Sequence, residues 1–114
     1  NSELIGLPCD VLVPAALEGA INAENVINIQ AGMIVEGANG PTTAEGDAAL
    51  ASRGIPVVPD ILANAGGVVV SYFEWVQNLQ GVFWDRGTIQ KGLESRMTTA
   101  YDQVYQLAQK QKGN

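Results

Sequence analysis

Three stretches of small and amide-bearing residues each follow a short apolar run, and there the sequence is equipped for chemistry. Val11-Leu12-Val13 leads into Pro14-Ala15-Ala16, which brings neither bulk nor charge. Met33-Ile34-Val35-Glu36 leads into Gly37-Ala38-Asn39-Gly40-Pro41. Ile55-Pro56-Val57-Val58 leads into Pro59-Asp60, then Asn64-Ala65-Gly66-Gly67. Together they offer approachable backbone, the primary amides of Asn39 and Asn64, and almost no ionisable group. Such a lining reads a flat, amide-bearing ligand by hydrogen bonds and is poorly suited to proton transfer. Small residues at strand exits also serve turn geometry alone, so both readings stay open on the residues.

Asn64, Val68 and Ser71 stand at i, i+4 and i+7, and share one face if a helix begins near Asn64. Gly66 and Gly67 in that first turn cost about 1 kcal/mol each relative to alanine. Their backbone is therefore expected to pass close to a ligand or to a packed strand. Proton-transfer machinery is missing. The chain has no histidine, which leaves its single cysteine, Cys9, without the usual base or zinc companions. Cys9 is expected to be a small apolar filler. Ser71 lacks a G-x-S-x-G turn and a nearby base. Glu74 reads as a helix-surface or ion-paired acid, with a buried acid beside Trp75 as the alternative, and Asp60 as a turn or capping acid. Neither a Walker motif nor G-x-G-x-x-G is present. No catalytic residue and no metal ligand is expected in this chain.

The elements that must position these residues follow from periodicity. Val- and Ile-rich runs without clean polar alternation predict three parallel strands covered on both faces. Thr42 with Glu45 forms a capping-box pattern, which predicts a helix over 43–52 that stops at Gly54. Ala20, Ile21, Ala23 and Val26 predict one or two short helical turns between Leu17 and Ile29. Val68 through Leu79 reads as an apolar helix. Ile89, Leu93, Met97, Ala100, Val104 and Leu107 then predict an amphipathic helix of roughly 23 residues, with a frayed polar end over 109–114. Gly46 and Gly92 fall inside predicted helices, where they are expected only to lower stability. The order β-(α)-β-α-β-α-α is that of an α/β fold, with sites at the carboxyl ends of the strands.

The 114 residues suffice for one domain, or for a piece of a larger one. Charged residues make up 16%, below the usual ~25%, which implies surface meant to be covered by something else. Twelve acids against six bases give a net charge of −6, and no base precedes Arg53. This balance excludes nucleic-acid binding by phosphate neutralisation and attachment to a membrane surface. The apolar runs fall short of the ~20 residues of a membrane span. No charged-then-apolar leader opens the sequence, and the lone cysteine fits a cytoplasmic protein.

Four blocks in order carry a resemblance: Cys9 to Leu17, Val35 to Thr43, Val58 to Val68 and Ser71 to Asn78. They resemble the glutamate dehydrogenases, in the hexameric bacterial-type branch, over roughly Pro8 to Ala108. The resemblance implies the second half of a Rossmann-like doubly wound parallel sheet (family strands 4-5-6 of the order 3-2-1-4-5-6), followed by long C-terminal helices. Residues 1–80 would be a partial NAD(P)-binding domain and 81–114 a C-terminal helical region. The implied activity is NAD(P)-dependent oxidative deamination of L-glutamate to 2-oxoglutarate and ammonia. By position, Ala15 and Ala16 would lie along the cofactor, Asn39 would bond around the nicotinamide ribose and Asn64 would hold the nicotinamide end. Gly67 and Val68 would line the substrate pocket, and Ser71 would bond the substrate's side-chain carboxylate.

In that family the catalytic lysine and aspartate, the substrate-binding lysines and the glycine-rich phosphate loop lie in parts with no counterpart here. The chain is therefore expected to be a fragment, inactive by itself, of a homo-oligomeric (commonly hexameric) parent. Val11 to Val13 would form an open edge through which it could dimerise. The alternatives are a leucine, valine or phenylalanine dehydrogenase, and a free-standing non-catalytic nucleotide- or partner-binding module. Ser71 disfavours an apolar substrate side chain.

Overall fold

A computed structural model describes residues 2–112. The elements run α1 (Ser2–Ile5), β1 (Val11–Leu12), β2 (Met33–Val35), α2 (Ala44–Ser52), β3 (Val57–Val58), α3 (Asp60–Ala63), α4 (Gly66–Gln80) and α5 (Arg86–Lys112). They form two compact units that divide between Asn64 and Ala65.

In the first unit the strands form one parallel sheet in the order β1-β2-β3. Val11 aligns with Met33 and Leu12 with Ile34, while Ile34 aligns with Val57 and Val35 with Val58. Alternation along each strand puts Leu12, Ile34 and Val57 on one face. That face packs into the core of Ile21, Val26, Ile29, Ala31, Ile34 and Leu50. The opposite row of Val11, Met33, Val35 and Val58 is exposed to half-buried. Only Ile34 on the core-facing row is fully buried, with Leu12 and Val57 half-buried beside it, so the expected cover on both faces is not found within this unit.

Helix α2 begins one residue later than the capping-box pattern suggests. Thr43, not Thr42, is its N-cap, and the Thr43 hydroxyl accepts from the Gly46 amide. Thr42 instead forms an extended bridge with Ile21, which keeps it out of the helix and leaves its buried hydroxyl without a partner. Gly46 is no mere weak point, since a Cβ there would stand 3.1 Å from the Ile21 carbonyl oxygen. Arg53 closes the helix, and Gly54 follows at φ +70°.

The helical turns expected between Leu17 and Ile29 reduce to a single 3-10 turn, Val26–Asn28. Asn22 and Asn25 explain the difference. The Asn25 Oδ1 accepts from the Asn22 amide at 2.9 Å, and the Asn25 Nδ2 donates to the Ala20 carbonyl at 2.7 Å. Side chains of this kind offer backbone groups an alternative to the helix ladder. The Arg53 guanidinium donates to the carbonyls of Val26 and Ile29 at 2.6 and 2.5 Å, which ties this loop to α2.

In the second unit α4 ends at Gly81, in the left-handed conformation at φ +66°. Phe73 is its buried anchor, packed against Trp84 with ring centroids 5.7 Å apart. Along α5, Ile89, Leu93, Met97 and Ala100 of the predicted stripe are half-buried, as is Gly92 beside them. Val104 and Leu107 continue the spacing but are exposed. The 27 residues of α5 outrun the 15 of α4, so at 1.5 Å per residue its last turns run past the end of α4. The helix continues through Lys112, so residues 109–112 are not frayed as expected. Residues 113–114 lie outside the described residues.

Candidate functional site

Each strand of the first unit ends at the same edge of the sheet, and the loops that follow are tied to one another. Gly37, just past β2, lets the β1 exit come close: a Cβ on Gly37 would stand 3.1 Å from the Ala15 Cβ and 3.3 Å from the Val13 Cγ1. The Ala38 amide donates to the Pro14 carbonyl at 2.9 Å. These contacts set the β1 exit, with Ala15 and Ala16 exposed, against the β2 exit.

The β2 and β3 exits are joined by side chains. The Asn64 Nδ2 donates to the Asn39 Oδ1 at 2.6 Å and approaches the Ala38 carbonyl at 3.4 Å. Behind this amide pair, the Glu36 Oε2 accepts from the Asp60 amide at 2.9 Å. Asp60 reaches the other way, its Oδ2 accepting from the Gly40 amide at 2.8 Å. Its Oδ1 accepts from the Ile61 amide at 2.6 Å at the start of α3. Asp60 is thus not the N-cap, which is Pro59, but an acid in the first turn of α3 and a tie across the sheet edge. Glu36, which is buried, was given no role from the sequence. Its signal was available: a carboxylate closing an apolar strand is costly to bury without a partner.

The electrostatics are one-sided. Residues 1–64 contain a single base, Arg53, and both of its contacts are to backbone carbonyls at the far loop. A phosphate would find no side-chain cation at these strand exits. A neutral group with an amide edge finds the Asn39–Asn64 pair and the shallow floor of Ala15 and Gly37.

Asn64 does not share a helix face with Val68 and Ser71, as the i, i+4, i+7 spacing suggests. It caps the C-terminus of the four-residue α3, and α4 starts afresh at Gly66. In the second unit Gly67, Val68 and Ser71 lie exposed on the first turns of α4, with Val68 at 74% exposure. The Ser71 hydroxyl donates to the Gly67 carbonyl at 3.0 Å. A Cβ on Gly67 would meet nothing within 4 Å, so no packed strand inside this unit explains the glycine. Glu74 is exposed on the same helix. Cys9 is exposed too, which corrects its expected role as an apolar filler. It precedes β1, where its carbonyl accepts from the Gly32 amide at 3.2 Å and its side chain lies outside the core.

Among the described residues, no three His, Cys, Asp or Glu side chains stand together as a metal site would require. No helix among them is long and apolar enough to cross a membrane.

The family model described as glutamate/leucine/phenylalanine/valine dehydrogenase matches residues 1–114. The chain is 59% identical over 110 residues to a glutamate dehydrogenase of Thermotoga maritima, covering 96% of this chain and 26% of that protein. It is 53% identical to a cryptic catabolic NAD-specific glutamate dehydrogenase of Bacillus subtilis, covering 95% of this chain and 25% of that one. Among solved structures, the hetero-hexameric glutamate dehydrogenase of Thermus thermophilus, in a leucine-bound form, superposes with a TM-score of 0.91 at 38% identity. That match covers 96% of this chain and 26% of the other. The chain thus spans about a quarter of the length of the relatives it matches.

Proposed function

Because the chain belongs to the glutamate/leucine/phenylalanine/valine dehydrogenase family, we propose that it forms the nicotinamide side of the cofactor domain of an NAD-dependent glutamate dehydrogenase. The reaction converts L-glutamate and water to 2-oxoglutarate and ammonia, and NAD supplies the hydride acceptor when bound. The observation that carries this reading is the Asn39–Asn64 amide pair at 2.6 Å, set at a cation-free sheet edge. NAD, over NADP, is favoured by the NAD specificity of the Bacillus relative.

The residues divide the binding work. Ala15 and Ala16 give the cofactor a surface it can lie along without steric conflict. The bond between the two amides leaves the Asn39 carboxamide nitrogen to donate to the nicotinamide ribose. It also leaves the Asn64 carboxamide oxygen to accept from the nicotinamide amide. Gly67 and Val68 line the substrate pocket, and the Ser71 hydroxyl turns from the Gly67 carbonyl to donate to the substrate's side-chain carboxylate. None of these groups transfers a proton at neutral pH, so this chain orients cofactor and substrate. The proton-transferring groups are assigned to a second domain, and the whole enzyme to a homo-oligomer in the cytoplasm.

The test is a steady-state assay of the full-length polypeptide that carries this sequence, with L-glutamate, L-leucine, L-valine and L-phenylalanine against NAD and NADP. Glutamate-dependent NAD reduction well above all other pairs is expected. Faster turnover of an apolar amino acid, or no glutamate-dependent reduction, would overturn the assignment.

A further inference from the structure

We infer that Glu36 and Asp60 are positioning residues that hold Asn39 and Asn64 in register, an inference that rests on the reading of that amide pair as a cofactor contact. Neither carboxylate bonds either amide. Both act through the backbone that carries them, and they do so in opposite directions across the gap between β2 and β3.

Glu36 is the first residue past β2, and its Oε2 accepts from the amide of Asp60, the first residue of α3. Asp60 returns the tie, its Oδ2 accepting from the amide of Gly40, next to Asn39. Gly40 sits at φ +55°, a conformation suited to glycine; its carbonyl accepts from the Gly19 amide at 2.9 Å, and Asp60 holds its amide on the side of β3. Asn64 follows α3 directly, and its own amide donates to the Asp60 carbonyl at 3.0 Å. Asp60 thus touches the backbone of both arms: Gly40 through its side chain and Asn64 through its carbonyl.

The two acids differ in how much of their chemistry is in use. Glu36 bonds Asp60 through a single oxygen, and glutamine supplies an equivalent carbonyl acceptor. Asp60 uses both oxygens, each facing an N–H donor. Asparagine has one acceptor and would turn an NH2 group toward one of those donors. The geometry therefore assigns opposite outcomes to two nearly isosteric amide substitutions.

The experiment uses the full-length polypeptide, with NAD dissociation constants from calorimetry. Amide exchange is read separately on peptides spanning residues 37–41, without NAD. Asp60→Asn should weaken NAD binding about tenfold, the effect of losing one charge-assisted hydrogen bond, and should speed exchange across 37–41. Glu36→Gln should leave both readouts unchanged, while Glu36→Ala should move both. On an Asn39→Ala background, Asp60→Asn should add no further loss of NAD binding. Unchanged exchange in Asp60→Asn, faster exchange with NAD binding unchanged, or Glu36→Gln as harmful as Glu36→Ala would overturn the inference. Asn39→Ala and Asn64→Ala with wild-type NAD binding would instead sink the reading of the amide pair. The exchange experiment would still decide whether the two carboxylates hold the loops.

Discussion

Gly92 of α5 lies directly against the ring of Phe73 of α4: a methyl group there would stand 3.0 Å from Cζ and 3.2 Å from Cε2. The ring is buried and sits beside Trp84, while the Arg96 guanidinium lies 5.7 Å from its centroid. Alanine would gain about 1 kcal/mol of helix propensity, but overpacking a filled site costs about 1–3 kcal/mol. The net expectation for Gly92→Ala is a loss of about 1 kcal/mol, seen as an earlier urea midpoint. A more stable variant would show that the ring yields freely.

Gly37→Ala tests the joint between the first two strand exits. The added Cβ would meet Ala15 at 3.1 Å and Val13 at 3.3 Å. The β1 exit must then move, at a stability cost of about 1 kcal/mol. NAD binding by the full-length polypeptide should weaken with it, whereas the Michaelis constant for glutamate should hold. Wild-type NAD affinity in this variant would mean that Ala15 lies off the cofactor's path.

Ser71→Ala separates substrate from cofactor contacts. Its hydroxyl bonds only a helix carbonyl in the structure, so removal should leave stability nearly unchanged. The kcat/KM for glutamate should fall roughly ten- to a hundredfold, the range for a hydrogen bond to a charged group, with the Michaelis constant for NAD constant. An equal loss on both would argue against a carboxylate contact.

Asp85 gives a pH-dependent signature. Its carboxylate accepts from the Thr88 amide at 2.7 Å at the start of α5. That bond, first among the causes, holds its pKa below the ordinary 3.8. A depressed folded value means the cap stabilises fully above the ordinary pKa and is lost as pH falls through the lowered one. Asp85→Ala should therefore melt earlier than wild type at neutral pH, and the gap should close in strong acid. Asp85→Asn, itself a good cap, should recover much of the stability at neutral pH. A gap that persists unchanged at low pH would refute the capping role.

The β1 edge makes the last prediction. Val11, on a strand with one partner, is 47% exposed, and Val13, just past that strand, is 53% exposed; an open apolar edge is a template for pairing. The 114-residue chain alone should self-associate at tens of micromolar, and Val11→Lys should reduce this. Equal monomer content for both chains by light scattering would exclude the edge as the cause.

What could be learned from the residues alone was mostly local. Val and Ile runs marked the three strands, because branched apolar side chains suit a pleated, half-buried surface over short spans. The step of three and four along Ile89 to Ala100 marked α5, because helix geometry repeats at that period whatever lies opposite. The small and amide residues at the strand exits marked the candidate site, because parallel strands deliver their ends to one edge. Contacts between residues distant in sequence were decided only by the tertiary structure. Thr43 displaced Thr42 as cap because Ile21 claimed Thr42 for a bridge. Asn64 left the α4 face for a bond with Asn39, 25 positions earlier. Glu36 and Asp60 became a crossed pair of ties, and Gly46 and Gly92 became close-approach points. In each case a partner more than a helical turn away changed what a residue does, and no periodicity along the chain encodes such a partner.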